Sequence, residues 1–525
     1  MLVHTNSQLS AGRPMNELYE LKASPNLWER WTNLIYKLLA RQVDATGLAV
    51  FRILFCISLL GEVLTLYFYR HVVYDAVAYV RMPEISMEYP LYIWMGSLLL
   101  LIIGYKTKVA AMVNYLLTVI MIGTTTDFEY HINYTYLAVG FLFMFLDVNQ
   151  VLSVDSWLAR RNKESRAKTI SYLQYYLPLL FGIGTIYLNS SFHKLSSDVW
   201  LEGLGVWLPS SVPMMAKVNL QPLLDQKLIM QVVSWLVVAF EISFCFLMWN
   251  QKTRWVLFLV GFPFHVGIFF MYPIPWFATT YLVTLLLLLP PDLWSGRLKT
   301  KNNVPVILPV HIGVVKKYSI LVAVFAILEL NADFQSGIWK KWKDQLGVSK
   351  LPAVQWWHKQ AAGIMGVTSH TLGMALHNVF MDQHFTGYNH NIGIVHVEKN
   401  GEKVFIPVTE ESGLPGAYMI GFNWAKWGFR SNGTLVVRED LADGISRFSA
   451  HYLMRRKIFL DSVSHFEVIG RIFDSPKEWQ KGYLTTMNSR SWHAIGTVDW
   501  KDRKVKVSIP DIEKEDINKY PLFVK

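Results

Sequence analysis

Cysteine is nearly absent: among 525 residues only Cys56 and Cys245 occur, and both lie in apolar runs. That excludes a disulfide framework and makes each thiol a small buried hydrophobe. The first 45 residues hold no short apolar core, which argues against a cleaved secretory leader; the first apolar run then serves as an uncleaved insertion signal. No internal repeat, low-complexity segment or metal motif of accepted spacing occurs. His377, His384 and His390 are close in sequence but lack a supporting acid or cysteine pattern, so they read as surface or core residues. Basic residues interleaved with aromatics are missing outside the loops. The net charge of +11 therefore points to basic loops on one side of a membrane rather than to nucleic acid.

Charge is also scarce through the middle of the chain, and apolar residues take its place. Hydrophobic residues make up 52% and the mean hydropathy is +0.26. A span needs roughly 20 apolar residues to cross the hydrocarbon. About nine stretches approach this length. They are 46–69, 90–105, 109–126, 133–150, 170–190, 228–250, 255–272, 276–292 and 313–331. Lys106 and Lys108 join one closely spaced helical pair, and Pro273 and Pro275 join another. With the N-terminus inside, the inner loops carry most of the Lys and Arg, notably from Arg160 to Lys168 and from Arg297 to Lys317. The outer loops carry Arg70, Arg81, Lys194, Lys217 and Lys227. That asymmetry predicts a cytoplasmic N-terminus, and an odd number of spans places the C-terminus on the periplasmic, lumenal or extracellular side.

The expected organisation is a cytoplasmic segment at 1–45, a polytopic α-helical membrane bundle at 46–331 and a soluble, strand-rich α+β domain at 332–525. Ile392–Val397 and Val404–Val408 alternate around Asn400-Gly401, a strong hairpin signal. A second hairpin is expected from Ser491 to Ile509 with its turn at Lys501-Asp502, and Leu441–Arg456 reads as a helix. Ala361–Phe380 is mildly apolar and reads as an interfacial or re-entrant element.

Ionisable groups inside apolar runs are costly, so each is a candidate site residue. Arg52 sits one turn into the first span, either snorkelling, pairing with Asp44 or contacting a ligand. Glu62 and Glu241 are mid-span carboxylates and His265 is an intramembrane imidazole; structural pairing is the stronger reading for Glu241 and His265. The densest constellation follows the fifth span: Tyr187, then Ser190-Ser191-Phe192-His193-Lys194-Leu195, then Asp198 to Gly203. Desolvation beside Phe192 and Leu195 disfavours the Lys194 ammonium and suits the amine to act as a base. An interfacial lysine snorkelling to headgroups is the competing reading, and the residue types alone leave both open.

Four segments in order resemble the vitamin K-dependent γ-glutamyl carboxylase family and its bacterial homologues. They are Gly-Leu-Ala-Val-Phe-Arg-x-Leu-Phe at 47–55, the span from Tyr130-His131-Ile132-Asn133 to Asp147-Val148-Asn149, the run Tyr187 to Gly203, and His265 with Ile274-Pro275-Trp276-Phe277. Arg471-Ile472-Phe473-Asp474 adds a weaker echo. The resemblance implies an enzyme using reduced vitamin K, O₂ and CO₂, without metal, to convert glutamate in a protein or peptide to γ-carboxyglutamate within a lipid bilayer. It implies Lys194 and His131 as catalytic residues. Tyr187, His193, Asn133, His265, Arg52 and Glu241 would line the quinone pocket. The chain departs from the family in the order of His131 and Asn133, in Pro275 where Gly is usual, in His193 where the family has a first Lys, and in lacking outer-domain cysteines. A non-carboxylating relative that binds lipid or quinone is the alternative, and the His131/Asn133 order favours it. A transporter fits least, since no inverted repeat is present.

Overall fold

The computed structural model describes residues 18–21, 26–75, 86–124, 130–163, 168–295, 306–385, 388–431, 438–459, 463–509 and 516–525. Arg81 and Arg297 lie outside the described residues. The helices that position the site are α1 (Leu27–Ala40), α2 (Thr46–Phe68), α3 (Glu88–Ile103), α4 (Thr107–Gly123), α5 (Ile132–Phe143), α6 (Tyr172–Leu179) and α7 (Thr185–Lys194). After them come α8 (Lys227–Leu247), α9 (Gln251–Met271), α10 (Pro275–Leu285), α11 (Ile312–Asp333), α12 (Gly337–Gln345), α13 (Pro352–Leu372) and α14 (Arg438–Arg455).

Among the described residues α2, α8 and α9 are long and apolar enough to cross a membrane, while α3, α4, α5 and α10 are shorter apolar helices. A 16-residue helix such as α3 rises about 24 Å, short of a ~30 Å hydrocarbon core. The expected fifth span is not one helix. It begins as strand β2 (Thr169–Ser171), paired antiparallel with β1 (Gln42–Asp44), and continues as α6, a π-helical turn at Leu180–Gly184 and then α7. Pro178 inside α6 lacks an N–H and disturbs the regular hydrogen-bond ladder just ahead of that turn. The expected ninth span lies in α11, a 22-residue helix that also carries Lys316, Lys317, Glu329 and Asp333.

The segment before residue 46 is not merely polar. Asn26 and Glu29 form a reciprocal capping box that starts α1. The Trp31 indole of that helix donates to the Ser319 carbonyl of α11 at 3.0 Å.

In the C-terminal part a five-stranded antiparallel sheet has the order β4-β3-β5-β6-β7, from β3 (Tyr388–Val397), β4 (Lys403–Phe405), β5 (Ser464–Asp474), β6 (His493–Lys501) and β7 (Lys504–Ser508). The first hairpin turns with Gly401 at φ +84°, as the Asn-Gly pair predicts. The second turns one residue later than expected, at Asp502 and Arg503. Both have positive φ, and Lys501 pairs with Lys504. Two consecutive left-handed residues match the strand twist that a two-residue hairpin needs. The expected helix at 441–456 is α14, whose Ser449 hydroxyl accepts from the Trp500 indole at 2.9 Å. Ala361–Phe380 divides differently from the expectation. Its first part ends α13, and Gly373 stops that helix at φ +74°, where a Cβ would overlap the Tyr134 carbonyl. An irregular segment follows.

The sheet domain is docked on the helices through a shared apolar core and many cross-links. The Trp424 indole donates to the Met214 carbonyl at 2.8 Å, Gly421 N–H to the Pro273 carbonyl at 2.8 Å, and Gly482 N–H to Asp225 at 2.7 Å. His451 of α14 is fully buried against Phe68, Tyr69 and Tyr418, with ring centroids 5.1–5.9 Å apart. Burial pushes its imidazole from the ordinary 6.5 down to about 4, with Arg455 and His71 adding repulsion. The unfolded chain therefore takes up a proton that the fold resists. Stability present above pH 6.5 is lost as the pH falls toward about 4. His451→Phe, which keeps a ring in place, is expected to flatten this loss when melting temperature is followed over that range. An unchanged slope would remove His451 as its source.

Candidate functional site

The helix α7 has two working faces. Tyr187, Ser190 and Lys194 recur at intervals of three and four residues, and Thr185, Asn189 and His193 at intervals of four on the other side, so each set shares a face. The first face meets α8. Lys194 Nζ lies 2.5 Å from Glu241 Oε1, with both side chains almost wholly out of solvent. The ammonium also sits 4.3 Å from the centroid of the Trp200 ring, a cation–π contact. The C-terminal segment fixes Trp200 in turn. Its indole donates to the Phe380 carbonyl at 3.0 Å, while Asp382 Oδ1 accepts from the Ser197 hydroxyl and the Val199 N–H.

Two turns earlier on the same face, the Tyr187 hydroxyl is 2.5 Å from His265 Nε2. Phe240, Phe244, Phe264, Phe277 and Tyr281 wall this pair. His265 Nδ1 and Glu241 Oε2 are buried with no hydrogen-bond partner among the described residues. Lys194, Glu241, Tyr187 and His265 thus form one polar group inside an aromatic shell.

His193 belongs to the second face, and His131, just before α5, is linked to it through His377 and Asn189. His131 Nδ1 is 3.0 Å from His377 Nδ1, so one nitrogen donates and the other accepts. The His377 N–H donates to Asn189 Oδ1, and Asn189 Nδ2 donates to Asp333. Thr185 donates to Glu329 at 2.9 Å, and His193 Nδ1 accepts from the Gly337 N–H at 3.3 Å. His384 instead accepts from the Met381 N–H, away from His377.

Asn133 and Arg52 lie elsewhere. Asn133 lines a cavity of about 20 Å³ with Glu62, Tyr130, Tyr136, Trp94 and Phe422; the Tyr130 hydroxyl donates to Glu62. Arg52 is fully buried and neither snorkels nor meets Asp44. Its guanidinium donates to the carbonyls of Val148 at 2.7 Å and Leu152 at 2.5 Å, tying the chain beyond α5 to α2. Asp44 caps the backbone of Thr46 instead.

Residues 40–294 match the family model of the HTTM domain. That stretch is an HTTM domain. It is the domain found in vitamin K-dependent γ-glutamyl carboxylase and its relatives. No curated protein and no solved structure matches the chain. Lys194, Glu241, Tyr187 and His265 all fall within the HTTM domain, but several partners do not. Glu329, Asp333, His377 and Asp382 come from beyond its end and brace α7 and the loop after it. Sequence reasoning missed Asp333, Asp382 and the pairing of His377. Glu329, an acid inside the last apolar run, was the available signal.

A buried pair is costly to halve, because the remaining charge has no partner. Lys194→Met is expected to destabilise the detergent-solubilised protein by about 3–5 kcal/mol. Lys194→Met combined with Glu241→Leu should recover most of that loss. Denaturation midpoints of the two variants check this, and equal losses would show that the pair is not coupled.

Proposed function

We propose that this chain is a membrane-embedded enzyme of the γ-glutamyl carboxylase type, coupling oxygenation of reduced vitamin K to carboxylation of glutamate in a protein or peptide. The observation that carries the reading is the Lys194–Glu241 pair, buried beside Tyr187 and His265 in an HTTM domain. The residues fit a flat, hydroxylated aromatic ligand. The walls are aromatic, and His265 Nδ1 and Glu241 Oε2 are buried polar atoms with capacity to spare.

When bound, reduced vitamin K with O₂ would supply a base strong enough to take a glutamate γ-proton, the hydroquinone being oxidised to its epoxide, and CO₂ would add to the carbanion left behind. The chain's own residues handle protons and exclude water. Lys194 passes a proton to Glu241 Oε1 across their short hydrogen bond, and the freed amine accepts one from a ligand hydroxyl. Tyr187 and His265 hold each other in place and orient the ring. Trp200 closes the aqueous side, so that a strong base forms away from water. His131 and His377 form a second proton-sharing pair on the opposite face of α7.

The apolar runs support about nine membrane crossings, and the excess of Lys and Arg in alternate loops up to Lys317 supports a cytoplasmic N-terminus and an outer sheet domain. A specific observation favours a second reading, a relative that binds lipid or quinone without carboxylating. His131 is engaged with His377 rather than with Lys194.

The test is an assay of purified full-length protein with vitamin K hydroquinone, a glutamate peptide and labelled bicarbonate. Wild type should form epoxide and incorporate label, and Lys194→Ala should slow both by about 10²–10⁴-fold. No epoxide from folded wild type, together with retained quinone, would replace the enzyme reading with the second one.

A further inference from the structure

Beyond the HTTM domain, α12 and α13 form a helical hairpin whose composition differs from that of the bundle it leans on. Between 337 and 360 it carries Lys340, Lys341, Lys343, Lys350 and Lys359 against a single acid, Asp344. It also carries Trp339, Trp342, Trp356 and Trp357, so basic residues interleaved with aromatics do occur outside the loops, contrary to the expectation from the sequence. A helix exposed to water on every outer side would place its tryptophans inward. Here Trp342 is 50% exposed and Trp356 65%, with Leu346 at 76% and Leu351 at 51%. Lys340, Lys341, Lys350 and Lys359 are exposed beside them.

The inner residues hold the hairpin in place. Trp339 packs on Phe192 and Phe334, the Lys343 ammonium donates to the Phe334 carbonyl at 2.6 Å, and Trp357 packs on Phe334. The outer residues remain as a mixed surface of indole, leucine and ammonium. Indole rings favour the depth where hydrocarbon meets headgroup, and clustered lysines on a helix favour anionic lipid. One acid against five bases rules in an anionic partner by charge. The exposed leucines and tryptophans distinguish a lipid surface from a soluble anion.

We propose that the α12–α13 hairpin is a docking surface for anionic phospholipid headgroups, seated in the interfacial layer beside the end of α7. Its link to α7 is direct, through the Gly337 N–H on His193 and the Trp339 ring on Phe192. The hairpin therefore sets the depth in the bilayer of the end of α7, and with it of the buried Lys194, whatever reaction Lys194 performs.

Native mass spectrometry of the full chain in detergent, titrated with phosphatidylglycerol or phosphatidylcholine, tests it. Wild type should retain phosphatidylglycerol preferentially. K340Q/K341Q/K350Q/K359Q should lower that preference by about tenfold or more, whereas the four Lys→Arg changes should keep it. Raising salt from about 0.05 to about 0.5 M should weaken the preference of wild type itself, which needs no variant to fold. An unchanged preference in the glutamine variant, no salt effect, or displacement of the lipid by millimolar inorganic phosphate would overturn the proposal.

Discussion

A lysine ammonium and a glutamate carboxylate removed from water must meet each other, and in this protein that requirement joins α7 to α8. Each ion alone would lose several kcal/mol of hydration on burial, and only close contact with good geometry offsets it. Lys194 and Glu241 reach that contact because α7 ends at Lys194, where the chain turns and Trp200 folds back over the ammonium. The neighbouring features follow from it. Trp200 needs an acceptor for its indole, which Phe380 provides, and the loop carrying Trp200 needs Asp382 to bind its free N–H. The opposite face of α7 obeys the same rule. Asn189 and Thr185 satisfy Asp333 and Glu329, acids that would otherwise stand unpaired in an apolar helix.

The candidate site is therefore not contained in the HTTM domain, although the Lys194–Glu241 and Tyr187–His265 pairs are. Residues from α11 and from the segment after α13 supply the outer partners, and the sheet domain that follows is itself fastened to Met214, Pro273 and Asp225 of the helical part through Trp424, Gly421 and Gly482. Groups one layer removed from a reacting side chain set its orientation by holding whatever it touches. His131 shows how much that layer decides: its partner His377 comes from a part of the chain remote in sequence.

Much of this was legible from residue types alone. Apolar runs with isolated ionisable residues marked Glu241 and His265 as groups that must find partners, left Lys194 open between a desolvated base and a snorkelling lysine, and Asn400-Gly401 located a hairpin turn. Arg52 was legible as costly but not as structural, because its acceptors are backbone carbonyls at Val148 and Leu152, and a carbonyl leaves no mark in a sequence. The break within the expected fifth span was hidden for a related reason. Tyr172 to Lys194 is apolar enough to read as one helix, and only the hydrogen-bond register reveals the wider turn. The turn at Asp502 and Arg503 was missed by one residue because strand pairing, not turn propensity, fixed its position.

That wider turn has a consequence for how the chain is compared with others. A π turn accommodates one residue more than an α turn in the same axial space, so it acts as a single-residue insertion absorbed without a loop. Every side chain after Gly184 is rotated by about 100° relative to an uninterrupted helix, which is what aims Tyr187 at His265 and Lys194 at Glu241. Any pairing of this chain with a protein lacking the turn has to open a one-residue gap near Leu180–Gly184. Without the gap, the pairing would set Tyr187 and Lys194 against residues from the wrong face of the helix.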